Sequence, residues 1–548
     1  MEILYFRCPW DRIQEAMTNE TKSMLKALPL GTSNFSALRQ GNEIYVDKTR
    51  LVYKLAQSRG KIFLARPRRF GKSLLISTFE SLFKNGLRDF GGLDIEKLWD
   101  DKTYPVVRLD FSKIKGQASI ELFNQAFYDA LQEAFTPLGF TYDPNRTSLL
   151  AQLDTWTQNL SDNSIVVLID EYDAPLTEKM DNPTLFNAIR DSLSQFFSLL
   201  KSNEGCLRFF FMTGITKFSN TSIFSAFNNL EDISLDEGFG ELLGYTEEEI
   251  AEYFGPYLQK AQDSLGLNQS ELFSQLREQY DGFSFDRRAA THVYCPWSVL
   301  NFLKRPQEGF QNYWYTSGGQ PTVLMKFLGK HVLSEPIGYS ENKVVRLSDL
   351  NTSRQYDEIN LDALLTQAGY LTIRSVMKNG YAVLGYPNQE VSMSMAQLYS
   401  DELLSGKPLE RPEYPLITDI MAEGAAEEVI EAFNRAVSAI DYHRYPITDG
   451  ASCRAYLQVL LIGAAMMPHV EVHNALGRSD MEVYAGRRHW VFEFKYAKTD
   501  DQAEGLLRQA QEQLKARRYG LSKSAQELIR VALVFSGQQR QFVDWNVV

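Results

Sequence analysis

The chain has 548 residues, of which 57 are Lys or Arg and 69 are Asp or Glu, so its net charge is −12. This acidity excludes indiscriminate coating of nucleic acids or membranes, although a single groove can still be basic. The 12% aromatic and 23% charged content is typical of globular proteins and excludes extensive disorder. A chain of this length predicts about three or four domains.

The cysteines and the apolar segments indicate a cytoplasmic location. Cys8, Cys206, Cys295 and Cys453 are far apart and form no CxxC pair, which fits a reducing compartment. The longest apolar runs are much shorter than the ~20 residues that span a bilayer. The first residues include acidic side chains and do not resemble a signal peptide. We therefore expect a cytoplasmic protein without a membrane partner.

Residues 1–24 are predicted to be an N-terminal extension, because regular patterning begins only after them. Within residues 25–245, helical segments alternate with short apolar ones that predict strands: Lys61–Ala65, Val106–Asp110, Ile165–Ile169 and Leu207–Thr213. Uniformly apolar strands are typical of parallel sheets that helices cover on both faces. The fold class is therefore α/β, with a doubly wound parallel sheet in this first domain.

Two further regions follow along the chain. Residues 246–410 predict a helical lid and then a small mixed module, with Trp297 in the core of the lid. Residues 416–548 form the last region, and their part from 440 to 548 holds 14 Lys or Arg and 12 Asp or Glu, a net charge of +2 against −12 for the whole chain. This difference is a weak indication that these residues meet a polyanion. Their pattern predicts helices and strands in this order: Ala425–Ile440, Ser452–Met467, strands Asp480–Tyr484 and His489–Phe494, helix Asp500–Arg517, and a last strand Ile529–Phe535.

The loop after the first strand has the residues of a phosphate-binding turn. Gly71, Lys72 and Ser73 match the end of the GxxxxGK[ST] motif, in which backbone N–H groups, a lysine and a hydroxyl hold phosphates and Mg²⁺. Arg66 stands where that motif has its first glycine. Arg68 and Arg69 are candidates to contact the nucleotide. The alternative is a basic, solvated turn that caps a helix.

Two later strands end in polar residues that complete this hypothesis. Asp170 and Glu171 follow a buried strand, as in NTPases that use one carboxylate to hold Mg²⁺ and another to activate water. Thr213 or Lys217, at the end of the next strand, is a candidate to sense the γ-phosphate. The alternatives are an acidic turn after a buried strand and a threonine selected for strand propensity.

Near the C-terminus, two carboxylates and a lysine form a second candidate site. Glu493 and Lys495 are two residues apart in one predicted strand and so share a face. A hairpin brings Asp480 alongside them. Two carboxylates that hold Mg²⁺ and a lysine that orients water are the groups that phosphodiester hydrolysis needs. The alternative is an exposed hairpin with an ion pair.

The chain resembles the AAA-ATPase-like proteins of bacteria, a largely uncharacterised family whose chains usually end in a PD-(D/E)XK nuclease-superfamily domain. The resemblance covers residues 25–548 and rests on these segments: Leu28–Gly31, Tyr45–Thr49, Arg66–Ser73, Ile169–Asp173, Thr213–Phe218, Asp232–Leu235 and Tyr280–Phe283. It implies a P-loop NTPase sheet in which Arg66 is ordinary. It also implies a restriction-endonuclease-like α/β domain at the C-terminus.

The chain departs from its relatives at one point of the second site. Relatives often carry a glutamate on the first helix as an extra metal ligand, and that place falls here near Cys453 and Arg454. Glu471 is a candidate to replace it. Otherwise the domain binds metal poorly or is a relic that recognises nucleic acid without cutting it.

These observations lead to two hypotheses. In the first, an ATPase that uses ATP and Mg²⁺ is coupled to a metal-dependent nuclease, with Asp480, Glu493 and Lys495 as catalytic groups and Mn²⁺ as an alternative metal. In the second, the protein is a nucleotide-dependent switch or scaffold that binds nucleic acid or a protein without cleavage. The choice between DNA and RNA and the formation of a homo-oligomer both stay open.

Overall fold

The computed structural model describes residues 25–58, 60–217, 229–314, 342–351, 360–404, 414–464, 466–520 and 527–548. The extension predicted for residues 1–24 lies outside these ranges. Contacts divide the described residues into two compact units, one of residues 25–314 and 344–388 and one of residues 342–343 and 389–548. The finer boundaries at residues 245–246 and 410–416 stay a prediction. No helix in the described ranges has the length and apolar character to cross a membrane.

The first unit is built on a five-stranded parallel sheet, and the predicted doubly wound α/β fold is confirmed. Its spatial order is β2-β3-β4-β1-β5, with every neighbouring pair parallel. All residues of β3 and β4 are buried, which explains why these segments are nearly uniformly apolar. The strands are β1 (Lys61–Ala65), β2 (Val106–Asp110), β3 (Ile165–Asp170), β4 (Leu207–Gly214) and β5 (Leu230–Asp232).

Helices connect these strands and continue after the sheet. Helix α8 begins with a capping box in which the Thr246 hydroxyl and the Glu249 carboxylate each accept the other residue's backbone N–H. The described helices of the first unit are α1 (Phe35–Gln40), α2 (Thr49–Gln57), α3 (Lys72–Asn85), α4 (Ile120–Phe135), α5 (Leu149–Gln158), α6 (Ala174–Thr177), α7 (Pro183–Ser202), α8 (Glu247–Tyr253), α9 (Gly255–Leu265), α10 (Gln269–Tyr280), α11 (Pro296–Lys304) and α12 (Leu361–Gln367).

Helices α8 to α11 share a hydrophobic core with the segment that precedes α2. Ile44 and Val46 belong to the same buried cluster as Ile250, Phe254 and Leu276. An ion pair between Lys48 and Glu249 joins the same two regions. The segment before α2 is therefore fixed from both sides, by the sheet domain and by the helices that follow it.

A three-stranded sheet in the order β6-β8-β7 lies next to the loop after β1. Its strands are β6 (Lys343–Arg346), β7 (Thr372–Val376) and β8 (Tyr381–Gly385). Just before β7, Gly369 has a φ of +85°, and a Cβ there would lie 2.7 Å from side-chain atoms of Pro67. Only a residue without a side chain allows this close approach. The small module thus packs against the phosphate loop.

The second unit places helices against a mixed five-stranded sheet in the order β13-β12-β11-β10-β9. Only the β11–β12 pair is parallel among these strands. The elements are α13 (Gln389–Leu403), α14 (Ile417–Glu423), α15 (Ala426–Ser438), α16 (Gly450–Gly463), β9 (His469–Asn474), β10 (Gly477–Ala485), β11 (Arg488–Ala497), α17 (Ala503–Arg517), β12 (Glu527–Ser536) and β13 (Gln541–Val547).

The prediction that the strand at Ile529–Phe535 is the last one is wrong. Strand β13 follows it and pairs antiparallel with β12 at the edge of the sheet. Phe542 is its single fully buried residue, and the others are partly or fully exposed. In this edge strand apolar residues are interspersed with Gln541, Asp544 and Asn546, so it lacks the uninterrupted apolar run that marked the buried strands.

Candidate functional sites

The phosphate loop connects β1 to α3, and its backbone takes two left-handed conformations. Gly71, the residue before α3, has a φ of +93°, and Arg69 has a φ of +71°. Glycine adopts such a conformation without strain, whereas an arginine does so at a cost. The first N–H groups of α3 have no partners within the helix and form the positive end of its dipole. The loop therefore has the backbone of an anion-binding turn.

Arg66, at the start of this loop, is buried and stabilises the loop through hydrogen bonds. Its buried guanidinium donates hydrogen bonds to the carbonyl oxygens of Ala65 (2.9 Å), Ser234 (2.6 Å) and Phe239 (3.1 Å). The same group lies 4.3 Å from the ring centre of Phe285. Burial lowers the pKa of Arg66 to about 9, although Asp232 acts in the opposite direction. Where the motif usually has a glycine, this chain has a buried cation that ties the loop to the segment after β5.

We expect Arg66→Gly, which restores the usual motif, to damage the protein. The change leaves three carbonyl oxygens without their donor, and we expect the free energy of unfolding to fall by about 3 kcal/mol. Arg69→Gly is the matched control, because Arg69 is exposed and its φ suits glycine; its effect should stay below about 1 kcal/mol. Urea unfolding of the full chain measures both. A stabilising Arg66→Gly would contradict the role of Arg66.

Lys72 begins α3 with its ammonium turned into the loop. The Nζ atom donates to the carbonyl oxygens of Arg66 (3.0 Å) and Pro67 (2.9 Å), and the side chain is buried. Burial lowers the pKa of Lys72, and the negative charges of Glu171 and Asp170 oppose this shift. The lysine and the carboxylates after β3 therefore lie close enough to interact.

The acidic residues after β3 occupy different environments. Asp170 is buried and accepts a hydrogen bond from the Thr213 hydroxyl (2.7 Å). The Thr213 oxygen in turn accepts from the backbone N–H of Glu171 (3.4 Å), whose φ is +49°. Thr213 thus positions the Asp170 carboxylate and contacts the backbone, not the side chain, of Glu171. Lys217, the other candidate sensor, forms an ion pair with Asp232.

Sequence reasoning missed Asp173, which belongs to the same group. Its carboxylate accepts hydrogen bonds from the backbone N–H groups of Ile215 and Thr216, beyond the end of β4. Burial raises the pKa of Asp173 to about 6, with these backbone bonds acting against the shift. The signal available in the sequence was the third acidic residue in the run Asp170–Asp173.

A cavity of about 660 Å³ opens at the loop. Its lining includes the polar or charged residues Arg68, Arg69, Lys72, Ser73 and Glu171. It also includes less polar residues, among them Leu243, Pro296 and Trp297. The sequence placed Trp297 in the lid core, but its side chain is half-buried and lies beneath the Arg69 guanidinium, 4.4 Å from it. A cavity lined by both charged and apolar side chains suits a nucleotide.

In the second unit, the β10–β11 hairpin brings the predicted groups together. Met481 pairs with Phe492, so Asp480 lies beside the start of the Glu493–Lys495 segment, and its Oδ2 accepts from the backbone N–H of Phe494 (2.8 Å). The Lys495 ammonium donates to Glu493 Oε1 (2.7 Å) and to Gln513 of α17 (3.0 Å). These contacts hold Lys495 next to the two carboxylates.

Glu493 is the most perturbed carboxylate of this site. Burial, and then the charge of Asp480, raise its pKa to about 7, whereas Lys495 acts to lower it. Its Oε2 atom is buried and has no hydrogen-bond partner among the residues that the structure describes. A carboxylate oxygen in this state is suited to a cation, and Mg²⁺ in proteins often takes one or two carboxylates and completes its shell with water or phosphate.

The rest of the site is cationic. The described ranges hold no group of three or more His, Cys, Asp or Glu side chains arranged for a metal. Arg454 of α16 lies where a further carboxylate was sought, with Nη1 3.8 Å from Asp480 Oδ1 and 3.1 Å from Glu471 Oε1. Arg478 binds the other oxygen of Glu471 (3.1 Å). Two arginines therefore surround Glu471, and one of them also faces Asp480.

The raised pKa of Glu493 predicts a pH-dependent stability. Between its ordinary value of 4.5 and about 7 the folded protein holds a proton that the unfolded chain has released, so stability falls as pH rises through this window. With EDTA present, we compare the free energy of unfolding of Glu493→Gln with that of wild type. The difference, variant minus wild type, should increase by about 2 kcal/mol from pH 4.5 to 7.5. Urea unfolding across this range measures it. Exposed Glu512→Gln, the control, should show no such trend.

Comparison with known proteins agrees with the two kinds of domain. A family model described as "Predicted AAA-ATPase" matches residues 29–224, and one for the PD-(D/E)XK nuclease superfamily matches residues 455–545. The chain therefore belongs to the AAA-ATPase-like proteins that carry a C-terminal PD-(D/E)XK nuclease-superfamily domain. An "Uncharacterized protein in vnfD 5'region" of Azotobacter chroococcum mcd 1 is 30% identical over 491 residues, which cover 88% of this chain and 91% of that protein.

Proposed function

We propose that this protein is a cytoplasmic ATP-dependent enzyme in which an ATPase domain controls a metal-dependent nuclease domain. The AAA-ATPase-like and PD-(D/E)XK domains suggest the two activities in general terms. Beyond these general activities, we infer that the nucleotide is ATP and that the target is a nucleic acid. We also assign the residues of each site and infer that one activity controls the other. The observation that carries it is the cavity that joins Lys72 and Ser73 to Glu171.

At the nucleotide site, each group has a defined task. Lys72 exchanges its two carbonyl partners for the β- and γ-phosphates, and the N–H groups that begin α3 bind the same oxygens. Ser73 and Asp170 would hold Mg²⁺, which neutralises phosphate charge when bound. Glu171 orients and activates the attacking water, and Thr213 fixes the position of Asp170.

Two arginines of the loop complete the nucleotide site. Arg68 and Arg69 line the same cavity as Lys72 and supply further positive charge for the phosphates. Arg69 is held against the ring of Trp297, which also lines this cavity. In our proposal the base of ATP lies near this ring.

At the nuclease site, Asp480 and Glu493 would hold the divalent metal, Mg²⁺ or Mn²⁺, which supplies a Lewis acid for the phosphodiester when bound. Lys495 orients the attacking water, because its ammonium is fixed by Glu493 and Gln513. A divalent cation beside Glu493 would favour the ionised form of this carboxylate and so oppose the burial that raises its pKa.

The test is an incubation of the full chain with end-labelled DNA and RNA, each single- and double-stranded, with and without ATP and with Mg²⁺ or Mn²⁺. We expect metal-dependent cleavage of at least one substrate and its loss in Glu493→Ala. Intact substrates under every condition, from a protein that still binds ATP, would contradict the nuclease part of the proposal.

One observation favours the second candidate function, a nucleotide-dependent switch that binds without cutting. Arg454 brings a positive charge to the place where relatives often have a carboxylate, and positive charge is what a nucleic acid backbone binds. In that case the same incubation yields retarded but uncut nucleic acid, and its binding changes with ATP.

A further inference from the structure

Arg454 is built into the carboxylate cluster of the second unit. It lies on α16, its side chain is 17% exposed, and its Nη1 atom faces both Asp480 and Glu471. Asp480 Oδ1 therefore faces a guanidinium, while Oδ2 accepts from the backbone of β11. Any divalent cation that binds Asp480 must share this carboxylate with a positive charge that is already present.

Glu471 is held in this arrangement by two arginines. Arg454 binds its Oε1 and Arg478 binds its Oε2, both at 3.1 Å. Its φ of +54° lies in the left-handed region, which costs a residue with a side chain free energy. The two ion pairs keep both carboxylate oxygens of Glu471 directed to arginine.

Glu493 supplies an oxygen of the cluster that could bind a cation. Its Oε2 atom is buried and lacks a hydrogen-bond partner within the described residues. The site thus combines an oxygen suited to a metal with an arginine that faces Asp480 Oδ1. A guanidinium and a divalent cation a few ångströms apart repel each other appreciably at a partly buried site.

We infer that Arg454 is a resident cation that keeps the divalent-metal affinity of the Asp480–Glu493 site low and withholds Glu471 from it. This inference rests on the proposed metal-dependent function but concerns affinity alone. Removal of the guanidinium takes away a repelling charge and releases Glu471 as a third carboxylate. Metal affinity should therefore rise.

The test measures Mn²⁺ binding to the full chain without nucleotide, by electron paramagnetic resonance of the free ion. We expect Arg454→Ala to lower the Mn²⁺ dissociation constant by about tenfold or more. Arg454→Met, which keeps the apolar stem, should behave in the same way and guards against misfolding of the alanine variant. Arg478→Ala is the matched control, because it also releases an oxygen of Glu471 but does not contact Asp480; it should change the constant by less than about threefold.

The double variant Arg454→Ala/Glu493→Gln locates the effect. The tightening should disappear in it, because one of the two ligands has lost its charge. Equal or weaker Mn²⁺ binding in both Arg454 variants, tightening of the same size in Arg478→Ala, or tightening that survives Glu493→Gln would overturn the inference. Failure of the nuclease proposal is recognised separately, as absence of cleavage by a protein whose metal affinity does respond to Arg454.

Discussion

Lys72→Ala is expected to weaken ATP binding at least about 100-fold and to abolish ATP turnover. The ammonium is buried at the start of α3 and interacts with Asp170 and Glu171. Its removal leaves the β- and γ-phosphates next to these carboxylates without the charge that offsets the repulsion. Titration calorimetry with Mg²⁺ and ATP measures the binding, and phosphate release measures the turnover.

Lys84→Ala is the matched control for this prediction. Lys84 lies in the last turn of the same helix and is exposed, so its loss should leave both quantities within about twofold of wild type. An Arg68→Ala variant, which removes a charge at the mouth of the cavity, should fall between the two. Wild-type affinity in a folded Lys72→Ala protein would remove the basis for an ATP site at this loop.

Asp480→Asn is expected to reduce cleavage of nucleic acid by about 1,000-fold or more while ATP turnover stays unchanged. The substitution keeps the shape of the side chain, including an oxygen that can accept from the backbone of β11. It removes one of the two charges that would hold the metal. The nuclease assay and the ATPase assay, run on the same preparation, measure both effects.

Asp501→Asn provides the control for Asp480→Asn, since Asp501 is exposed in the same unit and should affect neither activity. We expect the same loss of cleavage for Glu493→Gln, whose carboxylate is the more buried of the two. Cleavage that persists in both variants would show that another site acts on the nucleic acid.

The sheet of the first unit could be predicted because its strands are buried on both faces. Burial forces uninterrupted apolar runs such as Val166–Ile169 and Phe209–Met212, and the polar residues that follow them mark the strand ends. The same reasoning failed at β13, because this edge strand is largely exposed and its residues do not form an uninterrupted apolar run.

The task of Arg66 could not be predicted from its position in the motif. Its carbonyl partners on Ser234 and Phe239 are 168 and 173 residues away along the chain. Periodicity reports which face of an element is buried, but it does not report which distant backbone oxygens a long side chain reaches. The contact of Trp297 with Arg69 was hidden for the same reason.

At the C-terminal site the sequence predicted the hairpin partners but not their electrostatics. The spacing of Glu493 and Lys495 on one strand placed them on one face, and the structure joins them by an ion pair. That Arg454 would pair with Asp480 and Glu471 depends on how α16 packs against the sheet. Such packing is a tertiary property, which a single sequence does not specify.

The coupling of the two activities is tested most directly by the rate at which the full chain cleaves its substrate with Mn²⁺, with and without ATP. Our account predicts at least about a tenfold change in this rate on addition of ATP for wild type and none for Lys72→Ala. A cleavage rate that is identical with and without ATP, in a protein shown to bind the nucleotide, would contradict it.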